Sequence, residues 1–155
     1  MSSLEILADV ELTAGREQLR SECECGLLGC LMLRPENIDE VSGIVQPDDI
    51  IHPPYRKFYS LIVGMREARQ PVTFTTVLVA AKRSGLIDEL GGTKAYGELV
   101  NSQPNGAHSI VFAREVARLA ACRTAEDAGA AFLRALADRN CDPRRAIDIL
   151  QARVQ

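Results

Sequence analysis

The chain has 155 residues, 46% hydrophobic and 25% charged, with a formal net charge of −3 and a pI near 5.4. That length and balance predict a single globular domain that buries its own core without extended disorder, and the acidic pI argues against a chain whose main task is gripping phosphate backbones. Five cysteines, an acidic N-terminus without a basic n-region, and a longest dense apolar run (Leu27–Leu33) far short of the roughly 20 residues of a membrane span predict a cytoplasmic protein with reduced thiols and no membrane contact.

Met1–Gly15 is of mixed character and reads as an arm. Glu17–Leu33 reads as the first core helix, with Ser21 and Glu24 at capping-box spacing and Leu27, Leu28, Cys30, Leu31, Met32 and Leu33 covering almost its whole circumference. Pro35 stops it and begins a shorter helix carrying Ile38, Val41 and Val45. Gln46–Pro54 is a proline-rich connector with one turn at Asp48-Asp49-Ile50. Tyr55–Arg69 is a helix whose Tyr55, Phe58, Tyr59 and Ile62 fall at i, i+3, i+4 and i+7. Thr73 is an N-cap for the next helix, flanked by a Val72–Val77 staple, with Phe74, Val77, Leu78 and Ala81 on one face. Gly85-Leu86 reads as a Schellman-type ending. Gly91-Gly92 then breaks the chain, and Thr93–Asn101 is a short helix buried through Tyr96, Leu99 and Val100.

After the turn cluster Ser102–Gly106 comes a long alanine-rich helix, about Ser109 to Leu136, whose small residues let a partner helix approach closely. Gly129 within it marks a kink or a close-contact point. Asp142 and Pro143 are N-cap and N1 of a last helix with Ala146, Ile147, Leu150 and Val154 on one side. That pattern is still running at Gln155, as in a domain cut from something longer. No strand-length alternation occurs. The expected fold is all-α, with roughly six or seven helices. It divides into an arm over 1–20 that is poorly ordered or partly helical, a compact multi-helix globular subdomain over 21–106, and a C-terminal helical hairpin over 107–155.

Catalytic motifs are absent: there is no phosphate loop, His-Glu-x-x-His, Gly-x-Ser-x-Gly or Cys-x-x-Cys. Cys23, Cys25 and Cys30 are the one cluster of soft ligands, but Cys25 is turned away from the other two on a helix. His52, His108, Cys122 and Cys141 lack a spacing that implies convergence on zinc. No catalytic, cofactor-binding or metal-binding residue is therefore assigned. Asp48-Asp49 and Glu126-Asp127 read as turn and surface charges. Arg114, Arg118, Arg123, Arg134, Arg139, Arg144 and Arg145 make the last third basic, as either a solvated face or a docking surface for protein or nucleic acid.

The ordered set of these pieces carries a resemblance. It includes Glu24 with Leu27–Leu33 and Pro35; Ile38-Asp39-Glu40-Val41; Pro47-Asp48-Asp49; and Pro53, Arg56, Phe58 and Tyr59. It continues through Gln70-Pro71-Val72, Thr76-Val77, Gly85-Leu86, Gly91-Gly92 with Tyr96, Leu99, Asn101-Ser102-x-Pro104 and Phe112-Ala113-Arg114. Over Glu22–Val154 the chain resembles the N-terminal domain of bacterial replicative DNA helicases of the DnaB family. Cys25-Gly26, Arg34, Tyr55 and His108 depart from the family pattern and mark a divergent member.

The resemblance implies a non-catalytic assembly and interaction domain that self-associates through hairpins into dimers and a hexameric ring, and docks primase or a helicase loader. DNA contact would be indirect. The chain itself would hold no cofactor, ATP and Mg²⁺ belonging to a separate C-terminal ATPase domain. The expected interface residues are Phe112, Val116, Ala120, Ala128, Phe132, Ala135, Ile147, Leu150 and Val154. Two alternatives stand beside it: the helicase-binding module of a primase or a free-standing mimic of one, and a cysteine-based metal or redox protein.

Overall fold

Helix formation starts far upstream of the expected boundary. The computed structural model describes residues 3–138, 140 and 142–154, with side chains from Leu12 onward within those ranges. Helix α1 runs unbroken over Ser3–Leu33, so Ser21 and Glu24 lie in mid-helix and the expected capping box does not form. The reason is local. No proline precedes Pro35, good helix formers dominate residues 3–20, and a lone Gly15 costs only about 1 kcal/mol, too little to halt propagation.

Pro35 ends α1 as expected, and a single 3₁₀ turn, Pro35–Asn37, leads into the four-residue helix α2, Ile38–Val41. A second 3₁₀ turn, Pro47–Asp49, is closed by the Gln46 N–H donating to Asp49 Oδ2 at 2.8 Å. Helix α3, Pro53–Glu67, takes both prolines in its first turn, where a missing N–H costs nothing. It ends in a Schellman motif: the Gln70 N–H donates to Met65 O at 2.8 Å and the Arg69 N–H to Arg66 O at 3.0 Å. The left-handed residue of that motif is Arg69, at φ 56°.

Thr73 caps α4, Phe74–Arg83, with Thr76 as its reciprocal partner: the Thr76 N–H donates to Thr73 Oγ1 at 3.3 Å and the Thr73 N–H to Thr76 Oγ1 at 2.9 Å. Helix α5, Leu86–Leu90, was not foreseen. It is a single turn between two left-handed glycines, too short to carry a periodic signal. Helix α6 spans Thr93–Val100, and α7 runs from Ser109 to Ala137. Helix α8, Pro143–Val154, is capped by Asp142 Oδ1, which accepts the Arg144 N–H at 3.0 Å. The described residues contain eight α-helices and no strand, and no helix is long and apolar enough to cross a membrane.

The chain divides into two units, Met1–Ala117 and Arg118–Gln155. In the first, α1 packs against α6 and α3, and Leu27, Leu28, Cys30 and Leu31 are wholly buried. Phe58, Tyr59, Ile62 and Tyr96 join them. Each buried phenol keeps a partner: Tyr59 Oη donates to Val45 O and Tyr96 Oη to Phe74 O, both at 2.8 Å. Glycines let backbones close in on α1. A Cβ on Gly26 would sit 2.8 Å from the Phe112 ring, and one on Gly29 would meet Ser102 Oγ and stand 3.0 Å from Leu99 O. In the second unit, only Leu119, Ala128 and Ala146 are buried among the described residues. Helix α7 passes Gly129 without a break, and a Cβ there would touch nothing within 4 Å, so Gly129 is not a close-contact point among the described residues.

Candidate functional site

The expected interface residues do not share one environment. In the first unit, Phe112 is half-buried with its ring over Gly26, and Val116 is buried, so both serve the core of their own chain. In the second unit, Ala128 is buried and equally out of reach. Ala120, Phe132, Ala135 and Leu150 are partly exposed, while Ile147 and Val154 are open at 47% and 65%. Leu133 at 65% and Leu136 at 45% join that open set. Leu133 was missed because it falls off the small-residue stripe. Its signal is a large aliphatic side chain that periodicity leaves on the outer face. The second unit therefore exposes more large apolar side chains than it buries.

Several of the basic side chains are engaged on their own helix. Arg118 Nη1 lies 3.8 Å from Cys122 Sγ, Arg123 pairs with Asp127 at 3.9 Å, and Arg134 Nε donates to Ala130 O at 3.2 Å. Arg139 and Cys141 lie outside the described residues.

Two adjoining grooves mark the first unit at the α3–α4 corner. One, of about 560 Å³, is polar: Asp39 and Arg66 form a bidentate pair at 2.7 and 3.0 Å beside Glu67 and Arg69. The Arg66 guanidinium holds the Asp39 carboxyl below the usual carboxylate range. The other, of about 330 Å³, is apolar, with Met65, Pro71, Val79 and Ala80 along it and Arg83 at its edge. Gln70 and Pro71 border both.

Glu24 is the other feature that periodicity could not reveal. Only 2% exposed, it accepts the Ile51 N–H at 2.7 Å and the His52 N–H at 3.3 Å, and its Oε2 stands 2.6 Å from His52 Nδ1. It is a tether for the proline-rich connector. Cys30 is buried with its Sγ 3.5 Å from Asn105 O, and burial pushes its thiol up. Among the described residues Cys23, Cys25, Cys30 and Cys122 form no disulfide, and no three His, Cys, Asp or Glu side chains converge as metal ligands.

Residues 17–118 match the DnaB-like helicase N terminal domain family. The replicative DNA helicase DnaC of Bacillus subtilis is 27% identical over 95 residues, 61% of this chain and 21% of that protein. The replicative DNA helicase DnaB of Haemophilus influenzae is 27% identical over 93 residues, 60% of this chain and 20% of that protein. The chain thus spans about a fifth of the length of the curated relatives it matches. The crystal structure of the N-terminal domain of DnaB helicase from Mycobacterium tuberculosis superposes with a TM-score of 0.77 at 24% identity. The match covers 86% of this chain and 94% of that one, and shows the same all-helical fold.

Proposed function

The chain belongs to the DnaB-like helicase N-terminal domain family, and from that premise we propose that it is a non-catalytic assembly module of a replicative helicase. On this reading it self-associates through α7 and α8, helps set the geometry of a hexameric ring, and offers a docking surface for primase or a loader. ATP and Mg²⁺ act in a separate motor domain, and DNA contact is indirect.

One observation carries the reading. Among its described residues the second unit buries one leucine and two alanines yet exposes Leu133, Leu136, Ile147 and Val154. A helical unit of fewer than about 40 residues with so small a core needs outside cover, and oligomerisation is the usual source. The similarity to two replicative DNA helicases favours the helicase module over the primase module.

Sedimentation velocity across a concentration series tests it. The chain is expected to associate, and the paired substitutions Leu133→Asp and Ile147→Asp to shift it to monomer with the helical circular-dichroism signal retained. A monodisperse monomer at high concentration for the unsubstituted chain would overturn the self-association.

A further inference from the structure

We propose that the apolar groove between the end of α3 and α4 receives the acidic first turns of α1 from a second copy of this chain. This contact is separate from the α7–α8 surface and does not depend on it.

The groove holds about 330 Å³ along Met65, Pro71, Val79 and Ala80, enough for a few aliphatic side chains, and Val79 is 44% exposed. Cations edge it. Arg83 lines it, Arg69 lines the adjoining polar groove, and Lys82 stands one residue before Arg83 in the last turn of α4. None of the three is ion-paired, whereas the neighbouring Arg66 is committed to Asp39. Of the two carboxylates that line the polar groove, Asp39 is paired with Arg66 and Glu67 is left to oppose them.

Arg69 is the most telling. It occupies the left-handed position of a Schellman motif at φ 56°, where glycine would be unstrained. An exposed arginine held there at a local cost, its guanidinium in no ion pair, is placed for a contact outside its own chain.

The occupant is written in the same sequence. Leu4-Glu5-Ile6-Leu7-Ala8-Asp9-Val10-Glu11-Leu12 interleaves three carboxylates with aliphatic residues and has no basic residue before Arg16. Its backbone is helical from Ser3, and every residue from Leu12 to Leu19 is exposed, Leu12 at 59%. Eight consecutive exposed residues leave the helix open all round over that length. Its cover comes from another copy, and three carboxylates meet three cations over an apolar floor. Each copy then offers one helix and one groove, a head-to-tail contact that closes as a ring or runs on as a filament.

The test uses the full chain carrying Leu133→Asp and Ile147→Asp, which removes the α7–α8 surface. This background is expected to keep a salt-sensitive association in sedimentation velocity. Arg69→Glu with Lys82→Glu and Arg83→Glu should weaken it at least about tenfold, and so should Glu5→Lys with Asp9→Lys and Glu11→Lys. Mixing the two charge variants, groove-reversed and helix-reversed, should restore association, because the two intact halves attract each other and so do the two reversed halves, now an acidic groove and a basic helix. Arg69→Gly relieves the strained φ, so it should raise Tm while still weakening association several-fold. A background chain that stays monomeric, charge reversals without effect, or a mixture that fails to pair would each overturn the proposal and leave the groove to a different partner.

Discussion

Glu24 shows how one side chain can hold a segment that has no regular structure of its own. Its carboxylate accepts two backbone N–H groups and faces His52 Nδ1 while almost out of reach of solvent. Glu24→Ala leaves those donors without a partner in a buried site, and a loss of about 3 kcal/mol is expected in urea denaturation. A loss below about 1 kcal/mol would mean that the connector re-forms its bonds elsewhere.

The two buried phenols act at high pH. Burial is the main cause that pushes Tyr59 and Tyr96 up to about 12, with the Asp49 charge adding at Tyr59. Unfolded phenols ionise near 10. Between pH 10 and 12 the unfolded chain has therefore lost protons that the native chain keeps, and stability falls as pH rises through that window. Below pH 10 the contribution is whole. Urea midpoints measured from pH 9 to 12 should drop, and Tyr96→Phe should flatten the decline. An unchanged slope would show that other groups carry it.

At the scale of elements, two glycines in long helices have opposite roles. Gly29 on α1 stands where a Cβ would press on Ser102 Oγ and the Leu99 carbonyl, atoms fixed by α6 and the turn after it. Gly129 on α7 is surrounded by open space. Both gain helix propensity as alanine, about 1 kcal/mol. Gly129→Ala should therefore stabilise the chain by about 0.5–1 kcal/mol. Gly29→Ala should destabilise it by about 1–3 kcal/mol, because overpacking against backbone exceeds the propensity gain. Thermal melts of the two variants decide it, and equal signs would contradict the packing account. Helix ends follow the same local logic. Thr73 and Asp142 cap α4 and α8 through bonds readable from their residue types, whereas α1 ignores its capping-box spacing because nothing upstream stops it.

For the whole molecule, the uneven burial of the two units sets the expected behaviour. The first holds a dense core around α1, α3 and α6, and the second buries three of its described residues while Leu133, Leu136, Ile147 and Val154 stay exposed. If a second copy covers them, association and folding are linked, and Tm should rise with protein concentration. Leu133→Asp with Ile147→Asp should remove that dependence. A Tm independent of concentration in the unsubstituted chain would separate the second unit's stability from self-association.

Much of the fold was legible because helix signals are local. Prolines at 35, 53 and 54, the cap at Thr73, the stripe Phe58-Tyr59-Ile62 and the Asp142-Pro143 start all act within a few residues of where they stand. The all-helical character and the family pattern were readable for the same reason. What periodicity could not supply was how far each apolar stripe is already used. Val116 and Ala128 share helix α7 with Phe132 and Leu133, yet the first two are buried and Leu133 is open, since burial depends on which other helix passes over each residue. The tether at Glu24 and the Asp39–Arg66 pair likewise join residues far apart in the chain. The sequence by itself determined the helices and most of their ends, because those depend on neighbours along the backbone. Only the tertiary structure decided which surfaces are left for partners, because that depends on neighbours in space.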